Sequence, residues 1–414
     1  MSHPRMLLLA SFAALTLALA GCGKSEEPAP APAPTPAPTA TAPAAPAAPA
    51  DEAPADTAEA ATEAATEEAA EAAPAAAESG DPVKLGFVYV SPIGDAGWTF
   101  QHEQARQQLI AEFGDRIETS FVENVAEGAD AERVIREFAA SGSKAVFATS
   151  FGYMNYVERV ARQFPDVAFL HATGYKSGDN FANYNARFYE GRYLTGVIAG
   201  HMTQSNTLGY VAAFPIPEVL QGINAFTMGA RSVNPEVEVR VIWVNSWYDP
   251  GREREAATTL ISQGADVVTH HTDSTAVVQA AEERNVYAFG YHSDMSKYGP
   301  TAHLTATTHH WGDFYIRTVR DVIDGTWTPE NLWGGYQQGM IQLAPLNDAI
   351  PEEVQARVAE LEAGLTDGSF HPFTGPVVDQ DGNERLAEGE VMADDVLGTM
   401  DYFVQGVVSR LPSR

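Results

Sequence analysis

Cysteine is nearly absent from this chain of 414 residues. Its single cysteine, Cys22, excludes a disulfide within the chain and any metal site built from several cysteines. Basic residues are also scarce, with 25 Lys and Arg against 55 Asp and Glu and a net charge of −30. Because nucleic acids attract basic surfaces, this balance argues against a nucleic-acid partner.

Motifs of catalysis and cofactor binding are missing as well. The sequence has neither Gly-x-Gly-x-x-Gly nor Gly-x-x-x-x-Gly-Lys, which disfavours nucleotide cofactors and phosphate chemistry. Ser150 and Ser274 lack the Gly-x-Ser-x-Gly context of a nucleophile elbow. Histidine pairs at 270–271 and 309–310 invite a metal interpretation, but neighbours on a strand point to opposite faces. We therefore expect a protein that is not an enzyme and that uses no metal and no cofactor.

The N-terminal segment 1–21 has the features of a secretory signal. Basic residues precede a short apolar run that ends in Leu-Ala-Gly before Cys22. Leu-Ala-Gly-Cys is the lipobox pattern of bacterial lipoproteins, and this resemblance implies cleavage before Cys22 and lipidation of its thiol. The alternative is a secreted protein in which Cys22 is incidental.

Residues 22–82 are dominated by Ala, Pro, Thr and Glu. Such a segment has no apolar stripe to bury, and its Pro-rich repeats favour an extended chain. We interpret it as a tether between a membrane anchor and the folded domain.

The folded part is organised around residues 83–100. An apolar run at 83–90 predicts a strand buried on both faces, and a Gly- and Pro-rich loop with Asp95 and Trp98 follows it. In open α/β sheets, ligands bind at the carboxyl ends of such strands. Trp98 is therefore a candidate for contact with a flat ligand, or alternatively a lid that packs over the core.

Strand and helix patterns then alternate in two similar series, which predicts parallel sheets. We expect an α/β fold with two lobes, each a mainly parallel sheet flanked by helices, and a ligand in the cleft between them. Lobe I should comprise 83–204 with a returning segment near 301–330. Lobe II should comprise 205–300 with much of 331–414, which ends in a helix predicted at 395–408.

Polar and aromatic side chains cluster in the predicted loops at strand ends. These candidates are Asp95 and Trp98; Ser150, Phe151, Tyr153 and Asn155; Ser246, Trp247 and Asp249; His270, His271 and Asp273; His292 and Asp294; and His309 and His310. Two tryptophans in corresponding loops of opposite lobes suggest a sandwich around a planar ring.

Several motifs together make the chain similar to the basic membrane protein family of substrate-binding lipoproteins. They are GDAGWT (94–99), GRYLTG (191–196), PIP (215–217), NPEV (234–237), SWYDP (246–250), QGADV (263–267) and GMIQLAP (339–345). The best understood members of this family are purine nucleoside receptors that serve ABC transporters. The resemblance implies a two-lobed type I periplasmic-binding-protein fold, as the alternating series also suggests.

By position, the resemblance places Trp98 and Trp247 on the two faces of a purine. It places Asp95 and Asn155 where the family reads the base, and we add Phe151 as a ligand-binding candidate. His292 and Asp294 occupy a loop that usually begins with an acid gripping ribose, and His309 lies near a usual lysine. These departures predict that bases are preferred over nucleosides, or that binding depends on pH between about 5.5 and 7.5.

The sequence therefore predicts a lipid-anchored receptor on the periplasmic face of a bacterial membrane. It would bind a purine nucleoside, a nucleobase or a related heterocycle and deliver it to an ABC transporter permease. Two alternatives remain at this stage: a ligand-sensing or signalling lipoprotein, and a receptor of the same fold for a sugar or another heterocycle.

Overall fold

The computed structural model describes residues 81–412. The predicted signal peptide, Cys22 and nearly all of the predicted tether lie outside the described residues. Within 81–412, no helix combines the length and the apolar character that crossing a bilayer requires.

The strands and helices alternate along most of the described chain. The strands are β1 (Val83–Val88), β2 (Ile117–Val122), β3 (Ala145–Ala148), β4 (Ala168–Ala172), β5 (Phe181–Ala186), β6 (Thr207–Ala212), β7 (Glu238–Trp243), β8 (Val267–His271), β9 (Tyr287–His292), β10 (His303–His309), β11 (Leu332–Gly334), β12 (Ile341–Leu343), β13 (Val377–Val378) and β14 (Glu384–Leu386). The helices are α1 (Trp98–Phe113), α2 (Ala129–Ala140), α3 (Met154–Ala161), α4 (Phe188–Met202), α5 (Pro217–Val233), α6 (Pro250–Ser262), α7 (Ala276–Arg284), α8 (Gly312–Asp324), α9 (Glu352–Asp367) and α10 (Asp394–Leu397).

Two six-stranded sheets define the two lobes. The sheet of lobe I has the order β11-β5-β4-β3-β1-β2, and all its strands run parallel. The sheet of lobe II has the order β12-β10-β9-β8-β6-β7, in which β12 alone is antiparallel. The predicted fold class, two mainly parallel sheets flanked by helices, is confirmed.

Burial explains why the inner strands have continuous apolar sequences. Every residue of β3 and β4 is buried, because helices cover both faces of the sheet. Every residue of β8 is buried too, although it ends in two histidines. The predicted strands therefore lie where the apolar runs indicated, and β5 is an additional strand whose alternating polar sequence gave no clear signal.

The division between the lobes differs from the predicted one in two places. Helix α4, placed in lobe I by the sequence, packs on α5 and β10 of lobe II. The returning segment near 301–330 is split, since β10 joins the sheet of lobe II whereas α8 packs on α1 of lobe I. β11 then pairs with β5 in lobe I. Periodicity identifies these elements but carries no information on which sheet they join.

The close contact between α4 and α5 depends on a missing side chain. A Cβ atom at Gly196 would lie 2.1 Å from the carbonyl oxygen of Phe226, far inside van der Waals contact. The two helices therefore meet through their backbones.

The predicted C-terminal helix at 395–408 is wrong. Only Asp394–Leu397 is helical, and the chain beyond it runs along lobe II, where Val407 forms a bridge with Val239. Gly406, with φ of 104°, interrupts any helix here. The apolar spacing that resembled a helix instead serves an irregular segment, in which Phe403 and Val404 are buried.

Candidate ligand-binding site

A pocket lies between the two lobes at the carboxyl ends of their strands. Its cavity volume is about 20 Å³, roughly the space of one water molecule, because the side chains that line it nearly fill it in this structure. Its lining comes from both lobes: Val90, Trp98, Ser150, Phe151, Thr173, Glu218, Trp247, His271, Asp273 and His292. This is the crevice in which open α/β folds bind ligands.

Trp98 and Trp247 both line this pocket, one from each lobe. Trp98 is the first residue of α1 and is buried, with 7% of its surface exposed, and its Nε1 donates to the carbonyl of Thr149 at 2.7 Å. Trp247 follows β7 and is only partly buried. Trp98 therefore lines the pocket and also packs in the core. Both alternatives that the sequence left open for this residue, a pocket residue and a lid over the core, describe its position.

Asp273 and His292 form the polar floor of the pocket. The Oδ1 atom of Asp273 lies 3.2 Å from Nε2 of His292, and its Oδ2 accepts a hydrogen bond of 3.4 Å from Ser91. Burial, and then the charge of Glu253, raises the pKa of Asp273 well above its ordinary value. Burial lowers the pKa of His292 well below its ordinary value. Both groups therefore favour their neutral forms.

Glu218 is the second carboxyl group of the pocket. Pro217 begins α5 and places Glu218 in the first helical turn, where its Oε1 lies 3.6 Å from Nε2 of His271. Its Oε2 accepts a hydrogen bond of 3.3 Å from Asn185 of lobe I. Burial raises the pKa of Glu218 to about 8 and lowers that of His271 well below its ordinary value.

His309 lies directly behind His292 and is fully buried. Its Nδ1 is 3.3 Å from Nδ1 of His292, and its ring meets that of Trp98 edge-on at a centroid distance of 5.9 Å. His309 does not line the pocket between the tryptophans. It supports the residues that do.

Besides His309, three of the predicted site residues lie away from the pocket lining. Asp95 is exposed, and its carboxylate accepts hydrogen bonds from Nζ of Lys297 at 2.6 Å and from the hydroxyl of Tyr298, both in lobe II. Asn155 is exposed and accepts a hydrogen bond from Lys176. Asp294 accepts from the backbone N–H of Ser296. Phe151, by contrast, lies in the lining.

The lobes meet at the rim of the pocket. The backbone N–H of Gly97 donates to Oγ of Ser293 across the cleft at 2.7 Å. A Cβ atom at Gly97 would lie only 2.1 Å from the carbonyl oxygen of Asp273, so the two backbones are in contact. Gly97 also has φ of 99°, a conformation that favours glycine. The cleft is therefore closed in this structure.

Sequence reasoning did not single out Glu218 as a site residue. A carboxylate in the first turn of a helix is common, because it interacts favourably with the helix dipole, and so it gave no distinctive signal. Asp273 and His271 were recognisable as residues of a strand end. Within 81–412, no group of three or more His, Cys, Asp and Glu side chains has an arrangement that could hold a metal ion.

Comparisons with known proteins identify the family of the chain. The chain matches the family model "Bmp: ABC transporter substrate-binding protein PnrA-like" over residues 82–364. It is 51% identical to a purine-binding protein of Brucella abortus (strain 2308), over 81% of this chain and 96% of that protein. It is 39% identical to a putative ABC transporter glucose-binding protein of Haloferax volcanii, over 81% of this chain and 82% of that protein.

Among solved structures, the fold is similar to that of an ABC transporter solute-binding protein from Conexibacter woesei. The TM-score is 0.58 at 24% identity, and the match covers 70% of this chain and 98% of that one. The matched family consists of extracellular or periplasmic binding proteins that act with a small-molecule ligand and a membrane permease. The chain belongs to this family of PnrA-like ABC transporter substrate-binding proteins.

Proposed function

We propose that this protein binds a purine base between Trp98 and Trp247 and delivers it to its permease. The observation that carries the proposal is the placement of two indoles, one from each lobe, in the lining of a single closed pocket. A ring held between them would contact both lobes and so favour the closed state. The similarity to a purine-binding protein over most of both chains supports the same ligand class.

The polar groups of the pocket suit an uncharged heterocycle. With a pKa of about 8, Glu218 is mostly protonated at pH 7 and offers one donor and one acceptor side by side. The N–C–N edges of purines present a matching acceptor and donor. Asp273, His271 and His292 also favour neutral forms. These four groups can therefore exchange hydrogen bonds with a base without burying a net charge.

We further propose that the free base is preferred over the nucleoside. His292 and His309 occupy the side on which the family resemblance places the sugar contacts, and both rings are buried against each other and against Trp98. A ribose on this side would have to displace that pair. Away from the histidines, the pocket continues into a wider groove that shares Phe151, Thr173 and Glu218 with it.

A sugar is the second candidate ligand. The wider groove is lined by the carboxamides of Asn183, Gln221 and Asn331 and by Trp333, and such side chains bind hydroxyl groups. The putative glucose-binding relative points to the same class. Trp98 and Trp247 would stack on a sugar ring as well as on a base.

Calorimetry with the purified domain discriminates between these ligands. We expect adenine, hypoxanthine or guanine to bind with a dissociation constant in the micromolar range or lower, and the matching nucleoside to bind at least tenfold more weakly. Native mass spectrometry of the protein as purified would identify a ligand carried from the cell. Binding of D-glucose without binding of any purine would overturn the proposal.

The lipid anchor and the transport role at the membrane complete the proposal. The lipobox at Cys22 supports anchorage at the periplasmic face, and the acidic tether supports a domain held at a distance from the bilayer. A signalling lipoprotein of the same fold would bind ligand without delivering it. Uptake of radiolabelled base by cells with and without this protein separates the two roles, since only a transport component changes the rate of uptake.

A further inference from the structure

Glu127 holds together groups from both lobes, although it does not line the pocket. It lies between β2 and α2 in lobe I. A single carboxylate oxygen, Oε1, accepts hydrogen bonds from Oγ of Ser150 at 2.5 Å, from the backbone N–H of Gly152 at 2.8 Å and from Nε1 of Trp247 at 3.0 Å. The first two donors belong to lobe I and flank the pocket residue Phe151. The third is the indole of lobe II that lines the pocket.

We propose that Glu127 is a positioning residue that fixes the indole of Trp247 over the bound ligand once the lobes have closed. The inference rests on the proposed function and adds a residue that determines its affinity. It differs from a direct ligand contact, because Glu127 acts only through the indole N–H.

The two bonds within lobe I set the carboxylate in place before closure. Gly152 has no side chain, and a Cβ atom there would lie 2.3 Å from the carboxylate carbon of Glu127. The carboxylate therefore rests directly on the backbone of lobe I. Its oxygen is preorganised to accept a third donor from across the cleft, and such preorganisation reduces the entropy lost on binding.

Trp247 has packing contacts within its own lobe but no partner there for its N–H. Its ring meets Phe214 at a centroid distance of 5.0 Å and His271 at 6.4 Å, and both residues belong to lobe II. The hydrogen bond to Glu127 is the contact between the indole N–H and lobe I. Because this bond exists only in the closed state, it biases the equilibrium between open and closed forms toward closure.

A double-mutant cycle on adenine binding tests the inference. Glu127→Ala should weaken binding about tenfold, mainly through faster dissociation, which corresponds to about 1.4 kcal/mol. Trp247→Phe, which keeps the ring but removes the N–H, should show a loss of similar size. In the Trp247→Phe background, Glu127→Ala should cost less than about twofold. Glu127→Gln should recover most of the affinity, since its amide oxygen accepts the same bonds.

Glu123→Ala is the matched control, because Glu123 lies in the same segment and its carboxylate accepts a backbone N–H from Ile93 within lobe I. It should leave adenine affinity within about twofold of the parent. Equal losses for Glu127→Ala in the two backgrounds would mean that Glu127 only supports its own loop, and this overturns the inference alone. A parent protein that binds adenine no better than glucose overturns the proposed function and the inference together.

Discussion

The Nδ1 atoms of His292 and His309 face each other at 3.3 Å behind the ligand pocket. One of these nitrogens must carry a proton and the other must accept it, so the two rings hold opposite tautomers. Burial lowers the pKa of both imidazoles well below their ordinary value, and each one's proximity to other imidazoles and to Arg192 adds to this effect. Both rings therefore favour their uncharged forms.

This neutral pair should make base binding insensitive to histidine titration. Between pH 5.5 and 7.5, we expect the affinity for adenine to change by less than about threefold, because neither ring gains a proton in that range. Of the two outcomes that the sequence suggested, preference for bases is thus favoured over pH dependence. Calorimetry at pH 5.5, 6.5 and 7.5 measures this directly, and a tenfold loss on acidification would contradict it.

Replacing Trp247 should separate stacking from folding. Trp247→Ala should weaken purine binding by about 2 kcal/mol, roughly thirtyfold, because stacking and buried apolar area are lost. Its partial exposure should keep the change in melting temperature small. Calorimetry and thermal unfolding provide the two measurements. Unchanged affinity in this variant would remove the main support for the sandwich.

Trp98 should behave differently, because it also belongs to the core. Its ring contacts His102, Phe188 and Trp311 edge-on, so Trp98→Ala should destabilise the fold by about 3–5 kcal/mol as well as weaken binding. Trp98→Phe keeps an aromatic face and should bind within about tenfold of the parent. An alanine variant with the parent's melting temperature would show that the edge-on contacts contribute little.

Glu218 should make the ligand-free protein less stable as pH rises. Its pKa is 4.5 in an unfolded chain and about 8 in the pocket, so between these values the folded state holds a proton that the unfolded state has lost. The free energy of unfolding therefore falls across this window. Glu218→Gln has no proton to lose, and its stability relative to the parent should rise by about 3.5 kcal/mol between pH 5 and pH 8. Urea unfolding at both pH values tests this, and an equal difference at both would contradict it.

Asp95 should act on closure more than on recognition of the base. The hydrogen bond with Lys297, and then that with Tyr298, lowers the pKa of its carboxyl, and the exposed ion pair joins the lobes. Exposed pairs contribute at most about 1 kcal/mol, so Asp95→Asn should weaken all purines by less than about fivefold and to the same degree. A change in the ratio of adenine to guanine affinity would instead support the base-reading role that the family resemblance implies.

Cys22 should determine where the protein is found. Cys22→Ser removes the thiol that the lipobox presents for lipidation, so the variant should move from the membrane fraction to the soluble periplasmic fraction. Fractionation followed by immunoblotting checks this. Equal membrane retention of variant and parent would contradict the anchor.

Sequence patterns predicted the sheets better than the pocket. The apolar run of β1 and the buried sequence of β3 identify strands covered on both faces, and strand ends give the edge at which ligands bind. They do not give side-chain direction. They therefore could not predict that Trp98 turns into the pocket whereas Asp95, three residues earlier, turns outward to Lys297.

Other features depend on contacts between distant segments. Glu218 lines the pocket and contacts Asn185 and His271, and no local pattern reports that environment. The segment after α10 matched helical spacing, yet its residues pack on β7 and on the hairpin of β13 and β14. Tertiary packing overrode local propensity at this point.

The backbone contact between Gly97 and Asp273 sets the smallest separation that the two lobes can reach at this edge of the cleft. Side chains can change rotamer to make room for a thicker ligand, but two backbones in contact cannot move aside in this way. Closure therefore stops at a mechanical limit that does not depend on which molecule lies inside. We expect the ligands that allow full closure to be those thin enough to leave this backbone contact intact, so that flatness itself becomes a criterion of selection.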